Sequence, residues 1–495
     1  MKTLLSSGIV GCLSLVLGAC GSGEDSAAGD DGEASAAVAA DVADAGPALA
    51  ELKWRSCGDF SDRNVECAEL DVPIDYDQPA GEKLPLAMRR ILANPLEPYH
   101  GALLINPGGP GGAGIDFALG RFSDGIFDAI APGFDIIGFD PRGVADSGAK
   151  GCGILPDDLY PGAAGESPAA SELDAYLAST SEEGARCERE WGPLFRELGS
   201  NNVVRDMEEI RKALKEPRLN FYGGSYGTRI GALYAHHYPE TTGRIVLDAP
   251  THPRASYLEL VRGQFYALVA LHEQLFVQCE SGELVCPPDA RALFEQVLVN
   301  ARGRGYEDLF VSAWRQLFGD AGGVQARVNA LAQEAADPGG VWIEAFLVGI
   351  FGGRGPGPGF SDVVNASVHC TDDVAPPPTL AEAQSVVAEF TSVSPLFAGV
   401  AVGAALCAAW PTTPDPVPMP TALDARPVLV IGGTNDMNTP YPWAPAMAEA
   451  LGNATLLTST HVGHGAVIRG GDCVKNVVRA YLTSGSLPPF GAVCN

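Results

Sequence analysis

A chain of 495 residues, 46% of them apolar, can bury a large core. It is longer than one minimal domain, so a core fold with a sizeable insertion or a second domain is expected. Its 61 acidic and 32 basic residues leave a formal charge of −29, which argues against nucleic acid as a partner because phosphates would be repelled along the whole surface. The same surplus suits solubility outside the cell and helps attract cationic ligands such as free amino termini; the plainer alternative is a solvated acidic face.

At the amino end, Lys2 supplies a basic start and an apolar run follows from Leu4 to Ala19. At about 16 residues that run is short for a membrane span but suits the apolar part of a signal peptide. It ends in Leu17-Gly18-Ala19-Cys20, which resembles the lipobox of bacterial lipoproteins. The resemblance implies cleavage before Cys20, lipidation of Cys20, and anchoring to the membrane of the bacterial cell envelope, facing outward or into the periplasm. The alternative is ordinary secretion. Residues 21–50 contain seven acids, no base and no aromatic residue, and read as a flexible tether that cannot bury enough surface to fold.

Short apolar runs ending in turn signals begin at Leu84–Ala93 and continue at Gly101–Asn106, Phe134–Phe139, Leu219–Tyr222 and Arg244–Asp248. Helical spacing separates them, notably over Asn202–Lys215 and from about Thr228 to His237. Buried strands alternating with helices predict a mostly parallel sheet covered on both faces. From about Ser256 to Val402 the patterns are mainly helical, with Gly352–Gly359 and Pro376–Pro378 as loops, before strands resume at Arg426–Gly433 and Ala454–Thr458. The expected organisation is a signal peptide (1–20), a tether (21–50), a sheet core (51–253 and 423–495) and a helical lid inserted between its halves (254–422).

Ten cysteines lie beyond Cys20: Cys57, Cys67, Cys152, Cys187, Cys279, Cys286, Cys370, Cys407, Cys473 and Cys494. An even number in an exported chain favours disulfides. Sequence does not fix the pairing, although neighbours in order would close short loops. No C-x-x-C or paired His/Cys spacing occurs, so neither a metal nor a cofactor is expected.

Gly223-Gly224-Ser225-Tyr226-Gly227 fits G-x-S-x-G, the nucleophile elbow. With 60 glycines in the chain, a chance match is expected on the order of a few tenths of a time, so context decides. The motif lies directly between an apolar strand and a helix, where a tight turn exposes Ser225. A serine hydroxyl needs a base, and the base needs an orienting carboxylate; both should follow at the ends of later strands, acid first. Asp436 follows the strand Val428–Ile431, and His464 lies in Gly463-His464-Gly465 after the last strand. His461 is the rival base, and Asp372, Asp373 and Asp415 are rival acids that follow no strand. An oxyanion needs two backbone donors. Tyr226 should supply one, and Gly108 or Gly109 the other, because Pro107 and Pro110 have no N–H.

Together Asn106–Gly114, Asp140-Pro141-Arg142-Gly143, the Ser225 elbow, Asp436 with Thr439-Pro440, and Gly463-His464-Gly465 resemble the prolyl-iminopeptidase-like serine peptidases of the α/β-hydrolase fold. The likeness is nearest to the secreted tripeptidyl aminopeptidase group with its TAP-like carboxyl-terminal region, and covers about residues 50 to 495. It implies an α/β-hydrolase fold with a helical lid, a triad of Ser225, His464 and Asp436, and an oxyanion hole of Gly109 and Tyr226. Exopeptidase action on short peptides with a free amino terminus follows, and an esterase or a non-catalytic binding protein is the alternative. Such specificity requires a carboxylate in the lid to hold the substrate ammonium, and Asp372 and Glu344 are candidates.

Overall fold

The computed structural model describes residues 52–60, 63–148, 152, 170–319, 322–338, 342–351 and 361–495. The signal segment, the tether and Cys20 lie outside them. Ten strands form one sheet: β1 (Arg55–Phe60), β2 (Arg63–Pro73), β3 (Lys83–Ile91), β4 (Ala102–Asn106), β5 (Asp135–Phe139), β6 (Leu219–Gly224), β7 (Thr242–Asp248), β8 (Val428–Asn435), β9 (Ala454–Val462) and β10 (Val493–Cys494). Their order is β1-β2-β3-β5-β4-β6-β7-β8-β9-β10; the pairs β1–β2, β2–β3 and β3–β5 are antiparallel, and every pair from β5–β4 to β9–β10 is parallel. The crossing of β4 and β5, followed by consecutive parallel strands, is the doubly wound α/β-hydrolase order.

The central strands β4 and β5 are buried at every position, as strands covered on both faces must be. One apolar cluster, built on Leu104, Ile137, Phe221, Ile245 and Val430, lies on one face with the helix Ser200–Ala213. A second, built on Leu103, Ile105, Val246, Leu429 and Ile431, lies on the other with the helix Asp472–Ser484. Alternate residues of one strand thus feed opposite faces.

Between β7 and β8 the described chain is helical from Tyr257–Ser281 to Leu406–Ala409, with its own core around Phe265, Phe294, Trp314 and Phe390. A capping box at Ser256 and Glu259 opens the first of these helices and Gly282 closes it with a left-handed residue. Five disulfides join cysteines that are neighbours in sequence: Cys57–Cys67, Cys152–Cys187, Cys279–Cys286, Cys370–Cys407 and Cys473–Cys494. No described helix is long and apolar enough to cross a membrane.

The Asp140-Pro141-Arg142-Gly143 motif has a structural task. The Arg142 guanidinium is fully buried and donates to both oxygens of Asp206 at 2.8 and 2.7 Å, and to the carbonyls of Pro73, Ile74 and Glu197. Burial alone would lower its pKa, but Asp206 outweighs it and the pKa is raised. Asp140 accepts the amides of Ile115 and Asp146, which ties β5 to the helix Gly114–Ser123.

Candidate active site

β6 ends in Gly223-Gly224, Ser225 reverses the chain at φ +55°, and the helix Gly227–His237 begins two residues later. A left-handed conformation at a residue other than glycine costs on the order of 1–3 kcal/mol, so it persists only where neighbours hold it. The Ser225 N–H donates to the Asp248 carbonyl at 2.9 Å, and its own carbonyl accepts the amide and hydroxyl of Thr228 at 2.9 and 2.6 Å. Space explains the glycines. A Cβ at Gly223 would lie 2.3 Å from the Gly227 oxygen. At Gly108, where φ is +95°, it would lie 2.4 Å from the Gly224 oxygen and 2.8 Å from the Tyr226 nitrogen.

That close approach brings the loop after β4 against the amide of Tyr226. Within the loop, the Gly108 N–H is already given to the Asn106 side-chain oxygen at 2.8 Å. Of the two glycines, Gly109 is therefore the one whose amide is not committed to Asn106.

The acid and the histidine meet. Asp436, 3% exposed, follows β8, and its Oδ2 accepts from His464 Nδ1 at 2.7 Å. Its remaining capacity is filled by the amides of Asn438 and Thr439 at 2.9 and 3.1 Å and by the Thr439 hydroxyl at 2.9 Å. Burial pushes the Asp436 pKa up, but the His464 charge, the His464 bond and the Thr439 bonds together leave it lowered. For His464 burial pulls the pKa down, and the Asp436 charge and bond more than offset it, so it stands above the ordinary imidazole value. His464 remains half-buried rather than enclosed, with its side chain 23% exposed. His461 turns elsewhere, bonding Ser459 Oγ at 3.0 Å and packing its ring over Gly433.

Asp248, at the end of β7, connects the two halves of this arrangement. Its backbone oxygen holds Ser225, while its buried carboxylate accepts the amides of Ala466 and Val467 at 2.8 and 3.0 Å and the Tyr222 hydroxyl at 3.0 Å. The loop that carries His464 is thereby tied to the strand beside the elbow. Sequence spacing does not single out Asp248. Its signal was an acid closing an apolar strand at the carboxyl edge of a parallel sheet, where sites form.

The lid is bonded to the same loops. Ser361 N donates to the Gly111 carbonyl at 2.9 Å and Asn365 Nδ2 to the Pro110 carbonyl at 2.9 Å, while Gln264 Nε2 reaches the Asn438 carbonyl at 2.8 Å. Asp372 does not fit the role expected of it. It is wholly buried, its oxygens accept the amide and hydroxyl of Ser200, Arg229 lies 3.9 Å away, and Ser200 Oγ in turn meets the Tyr226 hydroxyl. With its oxygens committed to Ser200 and Arg229 beside it, this carboxylate is not presented to a substrate ammonium; burial, opposed by Arg229 and Ser200, raises its pKa to about 6. Asp373 is likewise engaged, with the amides of Tyr257 and Ala375. Glu344 falls in the helix Trp342–Phe351, but its side chain lies outside the described residues. Among the described residues no group of three or more His, Cys, Asp or Glu could hold a metal.

Known proteins resemble the chain along most of its length. A model of the TAP-like protein family matches residues 394–494. Serine protease Hip1 of Mycobacterium tuberculosis is 29% identical over 464 residues, 86% of this chain and 87% of that protein. Tripeptidyl aminopeptidase of Streptomyces coelicolor is 26% identical over 502 residues, 92% of this chain and 87% of that protein. Carboxylesterase B of M. tuberculosis is 30% identical over 483 residues, 90% of each. The chain belongs to one family with carboxylesterase B and carries the TAP-like region at its carboxyl end, on the α/β-hydrolase fold. It is a serine hydrolase. The TAP-like match spans the end of the lid, β8, β9 and the loops that hold Asp436 and His464.

In this TAP-like chain the role of Asp248 is open to a direct test. Asp248→Asn keeps the shape but replaces an acceptor oxygen with an amide NH2 donor facing the Ala466 or Val467 N–H. A buried donor left unsatisfied costs about 1–3 kcal/mol. The variant is expected to melt several degrees lower and to lose about tenfold or more in turnover of an activated ester. Unchanged melting and turnover would remove Asp248 from the frame.

Proposed function

We propose that this chain is an exported serine exopeptidase that releases short peptides from free amino termini through an acyl-enzyme. One observation carries the reading: His464, bonded to a buried Asp436, belongs to a sheet edge whose elbow holds Ser225 at φ +55°. It is supported by relatives named serine protease and tripeptidyl aminopeptidase that align along 86% and 92% of the chain. In this mechanism His464 Nε2 takes the Ser225 hydroxyl proton as the oxygen attacks the scissile carbonyl. Asp436 holds the imidazole with Nδ1 protonated and offsets the charge that forms. The amides of Tyr226 and Gly109 receive the oxyanion. His464 returns the proton to the leaving amine, and water repeats the sequence to free the acyl peptide and Ser225. Substrates are short peptides whose ammonium needs a lid carboxylate; with Asp372 enclosed, Glu344 remains the candidate.

A relative named carboxylesterase, 30% identical, favours a second reading in which the same triad acts on esters. A panel of tripeptidyl amides, their amino-acetylated forms and short-chain esters decides between them. The peptidase is expected to prefer the free-amine amides by at least about tenfold over the acetylated ones. Ser225→Ala is expected to lose on the order of 10³-fold or more of all turnover. Hydrolysis of esters alone would replace the peptidase with the esterase.

The base must be neutral to act, and its pKa is raised above 6.5. Turnover is therefore expected to climb with pH through a midpoint above that value. Asp436→Asn removes the charge that favours the imidazolium, so the midpoint should move down while kcat falls by on the order of 10³–10⁴-fold. A midpoint that ignores this substitution would separate His464 from the rate.

The export reading continues with anchoring of the protein through acyl chains on Cys20. Metabolic labelling with a fatty-acid analogue should mark the wild-type chain in a bacterial host and spare Cys20→Ala. An unlabelled wild-type chain released from the cells would favour ordinary secretion.

A further inference from the structure

Two arginines, Arg142 and Arg327, are buried in opposite circumstances. Arg142 is enclosed by Asp206 and three carbonyls. Arg327, on the lid helix Gly323–Ala336, is 2% exposed, yet among the described residues its Nε and Nη1 have no hydrogen-bond partner. Its guanidinium carbon sits 3.6 Å from the ring centre of Phe318, a contact that compensates only part of the lost hydration. Burial pulls its pKa down to about 9 with no acid among the described residues opposing it, so the charge persists at neutral pH. His272, which feels this charge, offers nothing in return. Burial, then Arg291 and Arg327, push its pKa to about 4, and its Nδ1 accepts from Trp314 at 3.2 Å. An enclosed cation without a counter-charge is among the costliest features a fold can carry, and a ligand that supplied the missing charge would offset that cost.

Arg327 lines a cavity of about 420 Å³, a size typical of small-ligand sites (about 300–1,000 Å³). The lid contributes Phe318, Gln274 and Gln278, and the core contributes Asn435 and Val462. Asn435 directly precedes Asp436, and Val462 lies two residues before His464. The cavity thus rests on the ends of β8 and β9, just before the residues that meet at the site. At its rim stands the exposed Glu283, which accepts from Gln278 at 3.3 Å.

We propose that this cavity binds a carboxylate, with Arg327 as its counter-ion, and that in the enzyme the carboxylate is the carboxyl terminus of a short peptide. The planar fork of a guanidinium matches a carboxylate, and the Gln274 side-chain amide adds a donor at the cavity wall. A single cation, with Glu283 at the rim, balances one negative charge and disfavours a phosphate dianion. The peptide as occupant rests on the peptidase reading; the carboxylate site does not.

The full chain carrying Ser225→Ala, which binds without turnover, provides the test by calorimetry. A tripeptide with a free carboxyl terminus is expected to bind at least tenfold more tightly than its carboxyl amide. In the double variant with Arg327→Leu that preference should vanish while the amide's affinity holds, and Arg327→Lys should retain part of it. Arg327→Leu should also melt no lower than its parent, because it removes an uncompensated charge. Sodium acetate, titrated beside the peptides, separates the two parts of the proposal. Acetate binding that disappears with Arg327→Leu, without discrimination between peptide ends, supports the carboxylate site and overturns its peptide occupant. Equal affinities for both ends with no acetate binding, or a preference that survives Arg327→Leu, overturns the site.

Discussion

The carboxyl end of β7 carries the constraint on which the rest of the site depends. Asp248 gives its backbone oxygen to the Ser225 amide and its side chain to the amides of Ala466 and Val467. One residue thereby fixes the strained elbow and the loop that carries His464. A buried carboxylate with three hydrogen bonds is stiff, because release of any one leaves a polar group unsatisfied in an apolar setting. Burial raises the Asp248 pKa even against those bonds. Within the elbow the amide and hydroxyl of Thr228 hold the Ser225 carbonyl, and Asp248 supplies the complementary hold on its N–H.

Around this frame the lid acts as part of the site rather than as a cover added to it. Ser361 and Asn365 bond the glycine loop after β4, and Gln264 bonds the loop after Asp436. Asp372 reaches in from the same insertion to cap Ser200, whose hydroxyl meets Tyr226, the residue after the nucleophile. Its charge serves internal order, which is why it cannot serve a ligand. Arg327 presents the converse: a lid charge enclosed against Phe318, with no hydrogen-bond partner for Nε or Nη1 among the described residues, and set beside a cavity at the ends of β8 and β9. The two residues show that a charge in the lid is read by what surrounds it, not by its presence.

Much of this was legible in the chain alone. The strand, turn and helix around Ser225 were readable because apolar runs bounded by glycine have one outcome in a parallel sheet. Expected and observed elements coincide closely there: the helix read over Asn202–Lys215 is Ser200–Ala213, and the strand read from Arg244 is Thr242–Asp248. The antiparallel β1 and β2 went unread, because charged residues such as Glu66, Glu69 and Asp71 interrupt the apolar pattern of β2. The lid helix Asp362–Thr371 was missed for a different reason. Its N-cap is one serine, and polar residues are mixed into a short apolar stretch.

What the sequence determined by itself was the set of local rules: a serine at a Gly-flanked turn, an acid and then a histidine after later strands, and an even set of cysteines. Those rules act over a few residues, where sterics and spacing leave little choice. Which histidine meets the acid, which glycine keeps its amide uncommitted to Asn106, and whether a lid acid faces inward were decided only in three dimensions. His464 and His461 are three residues apart, and only the register of β9 and the anchoring of its loop by Asp248 turn one to Asp436 and the other to Ser459. Asp372 and Ser200 stand 172 residues apart, a contact no local pattern encodes. Burial and pairing are properties of the packed interior, so the roles of Asp248, Asp372 and Arg327 could emerge only there.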